Sequence, residues 1–478
     1  MIIPERTMSV LKVFTSFKQI VRAKQFNLCS AAMSTMQVKQ RLCIVGSGPA
    51  GFYAAQYLLK NLPDCQVDMI EKLPVPFGLV RYGVAPDHPE VKNVINTFTK
   101  TAENSRFRFL GNLSLGKDFS LSELREKYHA VLLTYGAEKD RKLNIPNENS
   151  DNVISARKFV AWYNGLPGAE KLNPNLDCEA VTLIGQGNVA IDVARILLSP
   201  VDSLKKTDIT DYALESLSQS KVKRVYLVGR RGPLQAAFTI KELREMLKLP
   251  GVTTIWKPED FESIRGILPS LQRPRKRLTE LMISSIEAQS KENPPTGKKF
   301  FPLFFRSPKL ISGNTIELTI NELDKDVAIP TEHSDKLESG LILRSIGYKS
   351  VCPDDTINFD YERGFIKNMA GRVLQKQSAD SVDNGLYAAG WVATGPTGVI
   401  LTTMNGAFNI AKNICDDIKK GAVNCTSQKT GLNIKDERVV TWEHWQKIDK
   451  VEIELGKKVG KPREKIVNIE ELLKAGGL

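Results

Sequence analysis

The chain has 478 residues, 42% of them hydrophobic and 25% charged, with a formal net charge of +13 at pH 7. That length exceeds what one hydrophobic core can serve and implies about three domain-sized units. No apolar run approaches the ~18 residues that span a bilayer, and the seven scattered cysteines, without a C-x-x-C spacing, indicate neither a redox-active dithiol, a zinc site nor a bound iron–sulfur cluster.

Residues 1–40 hold six basic residues and a single acid, Glu5, and Val10, Phe14, Phe17 and Val21 share one helical face. This pattern predicts a mitochondrial transit segment over residues 1–38, against the bland reading of a disordered basic tail. Leu42–Val45 then reads as a strand that stops at Gly46. Gly46, Gly48 and Gly51 give G-x-G-x-x-G, Phe52–Lys60 reads as helix, and Val67–Ile70 as a second strand closed by Glu71. Gly46 permits the tight turn, Gly48 lets a pyrophosphate approach the backbone, and Gly51 lets helix and strand pack closely. The helix N-terminus offers free N–H groups and a positive dipole end to phosphate. Glu71, 20 residues past Gly51, is placed to accept ribose hydroxyls. The stretch predicts a dinucleotide site.

Residues 72–89 are too rich in proline and glycine for a regular element and are expected to line a ligand. Val91–Thr101 reads as helix; 106–110, 112–115 and 131–134 read as strands. The pattern then restarts. Ala180–Ile184 is a strand, Gly185-Gln-Gly-Asn-Val-Ala190 a second glycine turn, and Ile191–Leu198 a helix. The next strand, Val222–Val228, ends in Arg230 and Arg231 in place of an acid. An acid there repels a 2′-phosphate, whereas two arginines hold one, so the second site is expected to take NADP. Residues 200–220 read as a surface insertion and 233–248 as a helix. Arg273-Pro-Arg-Lys-Arg277 is either a solvated charge run or a docking patch. Strands are expected at 300–305, 315–320 and 341–346. Leu386–Ile400 is a strand running into another glycine-rich turn and a helix to Asn413, and the stretch from Thr441 onward is expected to serve packing. Four histidines far apart give no metal site, and no nucleic-acid partner is expected.

Two dinucleotide sites in one chain suggest electron transfer between a nicotinamide and a flavin. The segments Gly46-Ser-Gly-Pro-Ala-Gly-Phe-Tyr53, Pro76-Phe-Gly-Leu-Val-Arg81, Gly83-Val-Ala-Pro-Asp-His-Pro-Glu90, Gly185-Gln-Gly-Asn-Val-Ala-Ile-Asp-Val-Ala-Arg195, Gly229-Arg-Arg-Gly-Pro-Leu-Gln235 and Gly395-Pro-Thr-Gly-Val-Ile400 also resemble a known family. It is the adrenodoxin reductase family of mitochondrial NADPH:ferredoxin reductases, and the resemblance runs from about residue 40 to the end.

The resemblance implies FAD on Gly46, Gly48, Ala50 and Gly51, with Glu71 at the ribose and Leu79, Leu115, Trp391, Gly398, Val399 and Ile400 around the rest. NADPH would use Gln186, Gly187, Asn188 and Val189 at its pyrophosphate, Arg230 and Arg231 at its 2′-phosphate, and Glu242 with Gly398 nearer the nicotinamide. His88 and Asp192 would lie near the flavin ring, bonded to each other and able to relay a proton; the bland reading is a loop anchor and a helix-dipole partner. Where broader two-dinucleotide flavoproteins usually have Gly-Asp, this chain has Gly390-Trp391.

The expected fold class is α/β, with two doubly wound Rossmann-like domains. The NADP domain (139–349) is inserted into a discontinuous FAD domain (39–138 and 350–478). The expected activity is hydride transfer from NADPH to FAD, then single electrons to an acidic [2Fe–2S] ferredoxin, adrenodoxin-like, docked on Arg273 and Arg277. That activity serves either cytochrome P450 or iron–sulfur cluster assembly. The expected setting is the mitochondrial matrix, as a monomer, with peripheral contact to the inner membrane left open. A flavin monooxygenase and a slow-turnover FAD/NADPH sensor are the rival readings.

Overall fold

The computed structural model describes residues 39–289, 297–378, 380–433 and 437–478; the leader, and with it the transit reading, lies outside the described residues. Strand β1 (Arg41–Val45) ends at Gly46, and helix α1 (Pro49–Asn61) and β2 (Gln66–Glu71) follow. Pro49 suits the start of α1, where the missing N–H would have no helical partner anyway. With β3 (Phe107–Gly111) and β4 (Ala130–Leu133) these strands pair in parallel in the order β4-β1-β2-β3. Both faces are covered, so β1 and β4 are apolar almost throughout.

Two expectations fail in this stretch. Residues 112–115 form no strand, because Asn112 turns into the left-handed region at φ 64°. Residues 72–93 are not wholly irregular either: Leu79–Tyr82 makes a helical turn and Pro89–Asn93 a 3₁₀ segment.

The second sheet repeats the plan. Strand β5 (Ala180–Ile184) runs into helix α2 (Asn188–Leu198) and then β6 (Arg224–Val228). Helix α3 (Ile240–Leu247), α4 (Arg273–Gln289), β7 (Lys298–Leu303) and β8 (Leu341–Arg344) complete it. The six strands are all parallel, in the order 153–155, β8, β5, β6, β7, 252–254. The helix expected over 233–248 is broken: a 3₁₀ turn at Pro233–Gln235 precedes α3, whose start is set by the Thr239 hydroxyl accepting from Glu242 N–H. An antiparallel sheet of strands 306–312, 315–324 and 327–338 stands beside the main sheet, seated through Ile311, Ile316 and Leu318 on Ile184, Val228 and Leu303.

The chain leaves and re-enters the first sheet along a ribbon in which Lys139–Asp140 pairs antiparallel with Tyr348–Lys349. Strand β9 (Val382–Ala388) then joins β4 in parallel, and helix α5 (Ile400–Lys419) packs on α1. Helix α6 (Trp442–Lys458) sets Trp442 and Trp445 edge-on against Phe77, beside the stacked Phe52 and Phe98.

Residues 200–220 are no surface insertion. Leu204, Ile209, Ala213 and Leu217 belong to the second core, and Asp208 accepts from Lys92 of the first half and from Lys465 near the C-terminus. The C-terminal segment therefore does more than pack. Arg81 is clamped on Glu452 of α6 at 2.5 and 2.6 Å, and Lys461 reaches Asp211 at 2.6 Å.

Candidate functional site

The first glycine turn is fixed by backbone geometry. Gly46 sits at φ 112° and donates to Ile70 O; a Cβ there would lie 2.7 Å from the Thr134 carbonyl group. A Cβ on Gly51 would lie 2.2 Å from Gly46 O, so helix and turn touch there. At Gly48, the N-cap of α1, a Cβ would meet nothing within 4 Å. Two glycines are thus needed for packing, and the third leaves an open cradle before a helix N-terminus, which suits a pyrophosphate.

Glu71 is buried, and its carboxylate already accepts from Ser47 N–H at 2.9 Å, Ser47 O–H at 2.7 Å and Leu73 N–H at 3.1 Å. It pins the turn to the end of β2. A carboxylate offers about four lone pairs, so one stays open for a ribose hydroxyl.

Around the cradle, Gly78 comes up against Gly48, and Leu79 beside it is 40% exposed. Gly390, at φ 69°, lies so near Ala50 that a Cβ would stand 2.7 Å from its Cβ. Trp391 follows, its ring 6.0 Å from that of Tyr348. Gly398, at φ 83°, and Val399 lead into Ile400, the first residue of α5; Val399 and Leu401 are 49% and 62% exposed. This apolar edge beside a polar cradle suits a flavin. Leu115 is buried in the core beneath, against Phe119 and Leu121.

The second turn has the same construction. Gly185 lies at φ 124° and a Cβ would meet Ser345 O at 2.1 Å; Gly187 caps α2 with open space around it. Gln186 packs flat on Gly229, and its side-chain N–H₂ reaches Arg231 O. Asn188 Oδ1 accepts from Thr239 N–H at 2.8 Å, which ties the turn to the start of α3. Val189 packs on the second core. The Arg230–Arg231 backbone is held by Asn321 and Phe305 of the flanking hairpin sheet. Neither guanidinium has a partner among the described residues, and Arg230 is exposed.

A charged cluster that the sequence pattern does not show joins the loop after β2 to α2 and α3. Arg195 of α2, 4% exposed, donates to Asp87 at 2.5 and 3.1 Å and to Asp192 at 2.7 Å, and lies 3.4 Å from Glu242 and 3.9 Å from Glu245. His88 Nε2 is 2.7 Å from Glu245 and 3.9 Å from Glu242.

The expected His88–Asp192 bond is therefore absent: Asp192 turns to Arg195, and His88 reaches across to α3. The reason is charge pairing, since the Arg195 guanidinium stands one helical turn along α2 from Asp192 and takes its carboxylate at 2.7 Å. Burial raises the Asp192 carboxyl, with Arg195 opposing. Burial, and next the charge of Asp192, push Glu242 up to about 7. His88, Glu242 and Glu245 also bring ligand-type atoms within 4.8 Å of one another, which the scattered histidines did not suggest. Arg195 already stands against the two carboxylates of that group.

Arg273 and Arg277 lie exposed at the start of α4, remote from this cluster in the chain, with Arg275 anchoring the helix to Ala236 O at 2.8 Å.

A sequence model of the pyridine nucleotide-disulphide oxidoreductases matches residues 40–259. The chain is 63% identical to the mitochondrial NADPH:adrenodoxin oxidoreductase of Drosophila melanogaster over 92% of its length and 94% of the relative's. It is 47% identical to the human protein of that name, with 93% of each covered. Among solved structures, FprA of Mycobacterium tuberculosis in complex with NADPH superposes with a TM-score of 0.84 at 37% identity, covering 92% of this chain and all of that one.

Proposed function

Since the chain belongs to the family of NADPH:adrenodoxin oxidoreductases, we infer that it is an FAD-dependent oxidoreductase that moves electrons from NADPH to an adrenodoxin-type ferredoxin in mitochondria. The observation that carries the reading is the pair of glycine turns, one closed by the Glu71 carboxylate and the other followed by Arg230 and Arg231, whose guanidiniums have no partner among the described residues.

The finer assignments are our own. FAD is assigned to the Gly46–Gly51 cradle, Glu71 and the Leu79, Trp391 and Gly398–Ile400 edge. NADPH is assigned to Gln186–Val189, Arg230, Arg231 and Glu242. The flavin supplies the ability to accept two electrons together and release them singly. The protein's part is to hold the two groups and to set the local charge. We divide the chain into an FAD domain of residues 39–138 and 350–478 and an NADP domain of residues 139–349.

The exposed Arg273 and Arg277 would receive the acidic ferredoxin, steering it by charge complementarity. No described helix is long and apolar enough to cross a membrane. We place the protein in the matrix, directed there by residues 1–38, acting as a monomer with at most a peripheral contact to the inner membrane.

The test is cytochrome c reduction by the FAD-loaded protein with NADPH or NADH, with and without a mitochondrial [2Fe–2S] ferredoxin. Dependence on both NADPH and ferredoxin is expected. A rate indifferent to ferredoxin, with oxygen consumed in step with a hydroxylated product, would overturn the reading.

A further inference from the structure

One buried guanidinium, that of Arg195, faces four carboxylates: Asp87 from the flavin-side loop, Asp192 from α2, and Glu242 and Glu245 from α3. Lys241, half exposed, lies closer to Glu90 (2.8 Å) than to Glu245 (3.8 Å). His88 faces Glu245 and Glu242, and the phenols of Tyr163 and Tyr348 lie near Asp192. Tyr163 is fully buried and its hydroxyl has no partner among the described residues. Four carboxylates thus share the one guanidinium set among them. It lies one helical turn from Thr239, whose N–H bonds Asn188 of the second glycine turn.

The two redox states of a nicotinamide differ in charge: the oxidised ring is a cation and the reduced ring is neutral. We propose that the Asp192–Glu242 carboxylates gathered on Arg195 act as a charge selector that binds the oxidised, cationic nicotinamide in preference to the reduced, neutral one. This rests on the proposed NADP site. In such a site the gathered negative charge is costly without a counter-ion and is relieved when the ring becomes cationic. The cluster therefore favours the direction in which the hydride leaves the nicotinamide. Glu242 is its adjustable member, held near neutrality by burial and by Asp192. Its negative charge is present above about pH 7 and is lost below.

The experiment is equilibrium binding to the FAD-loaded enzyme, followed by flavin fluorescence. The ligands are NADP⁺ and tetrahydro-NADP, a neutral-ring analogue that cannot deliver a hydride. The ratio of their Kd values is measured at about pH 6 and about pH 8.5, on either side of the Glu242 transition. The expected result is a preference for NADP⁺ that grows roughly tenfold from the lower to the higher pH. Glu242→Gln keeps the shape and removes the charge, and should leave a small ratio that no longer varies with pH. Arg195→Lys keeps the charge but loses the forked contacts, so it should move the pH midpoint upward. If that variant fails to fold, the wild-type pH series and Glu242→Gln still decide. A ratio independent of pH in the wild type, or unchanged in Glu242→Gln, overturns the selector while leaving the proposed function intact. An enzyme that binds neither nucleotide overturns both.

Discussion

Lys92 Nζ lies 2.6 Å from Asp208 Oδ1, both side chains almost wholly buried, and joins the loop after β2 to the second half of the molecule. Lys465, fully buried, closes on the same carboxylate at 2.9 Å. Against the burial that opposes it, the two lysines hold the Asp208 carboxyl well below the usual carboxylate range. A depressed carboxylate stabilises the fold above its unfolded pKa, and that contribution fades as pH falls through the folded one.

Asp208→Asn should therefore cost about 3–5 kcal/mol near neutral pH, because two buried ammonium groups lose their partner. Between about pH 4 and acid unfolding, the variant's curve should fall less steeply than the wild type's. Urea denaturation across that range is the check. A loss under about 1 kcal/mol would mean that the lysines find water or another acceptor.

The glycine turns could be read from sequence because their reasons are local. Gly46 and Gly185 stand where any side chain would strike the next strand's carbonyl, at Thr134 and at Ser345. Pro49 and the apolar runs of β1 and β5 obey equally local rules. The Arg195 cluster has no such trace. Its carboxylates come from a loop 108 positions before the arginine, from the same helix, and from a helix 47 positions after it. Only tertiary contact brings them together, so the sequence suggests a His88–Asp192 pair where His88–Glu245 and Asp192–Arg195 form. The same holds for Asp208, whose partners lie 116 and 257 positions away. A segment read in isolation as an insertion is a junction.

Gly51→Ala is the sharpest test of the first cradle. Its methyl group would need space 2.2 Å from Gly46 O, and neither backbone can retreat without opening the turn. Overpacking of this kind typically costs 1–3 kcal/mol, and here it falls on the cofactor site itself. The purified variant should carry much less flavin per chain than the wild type, as read from its visible absorbance. Full flavin loading would show that the cradle lies elsewhere.

Arg230→Ala and Arg231→Ala should each raise KM for NADPH roughly tenfold or more, given about 1.5–3 kcal/mol for a hydrogen bond to a charged group. Their guanidiniums have no partner to lose among the described residues, and the turn is held through its backbone by Asn321 and Phe305, so stability should change little. KM for NADH should not rise, since NADH lacks the 2′-phosphate. Equal losses with both nucleotides would mean that the pair shapes the turn and does not read the phosphate.

Arg273→Glu and Arg277→Glu address the last step, the exit of electrons. Both side chains are exposed at the start of α4, and the fold already holds that helix through Arg275 and the buried Leu278 and Met282. Reversing two surface charges should leave flavin reduction by NADPH, followed with an artificial dye, at the wild-type rate. KM for an acidic [2Fe–2S] ferredoxin should rise by an order of magnitude or so, mainly through slower association. The wild type should lose part of its advantage as salt is raised, because charges at an exposed rim are screened within about 10 Å at 0.1 M ionic strength. A parallel fall in dye and ferredoxin reduction would place the arginines in the fold or the NADPH site and remove them from docking.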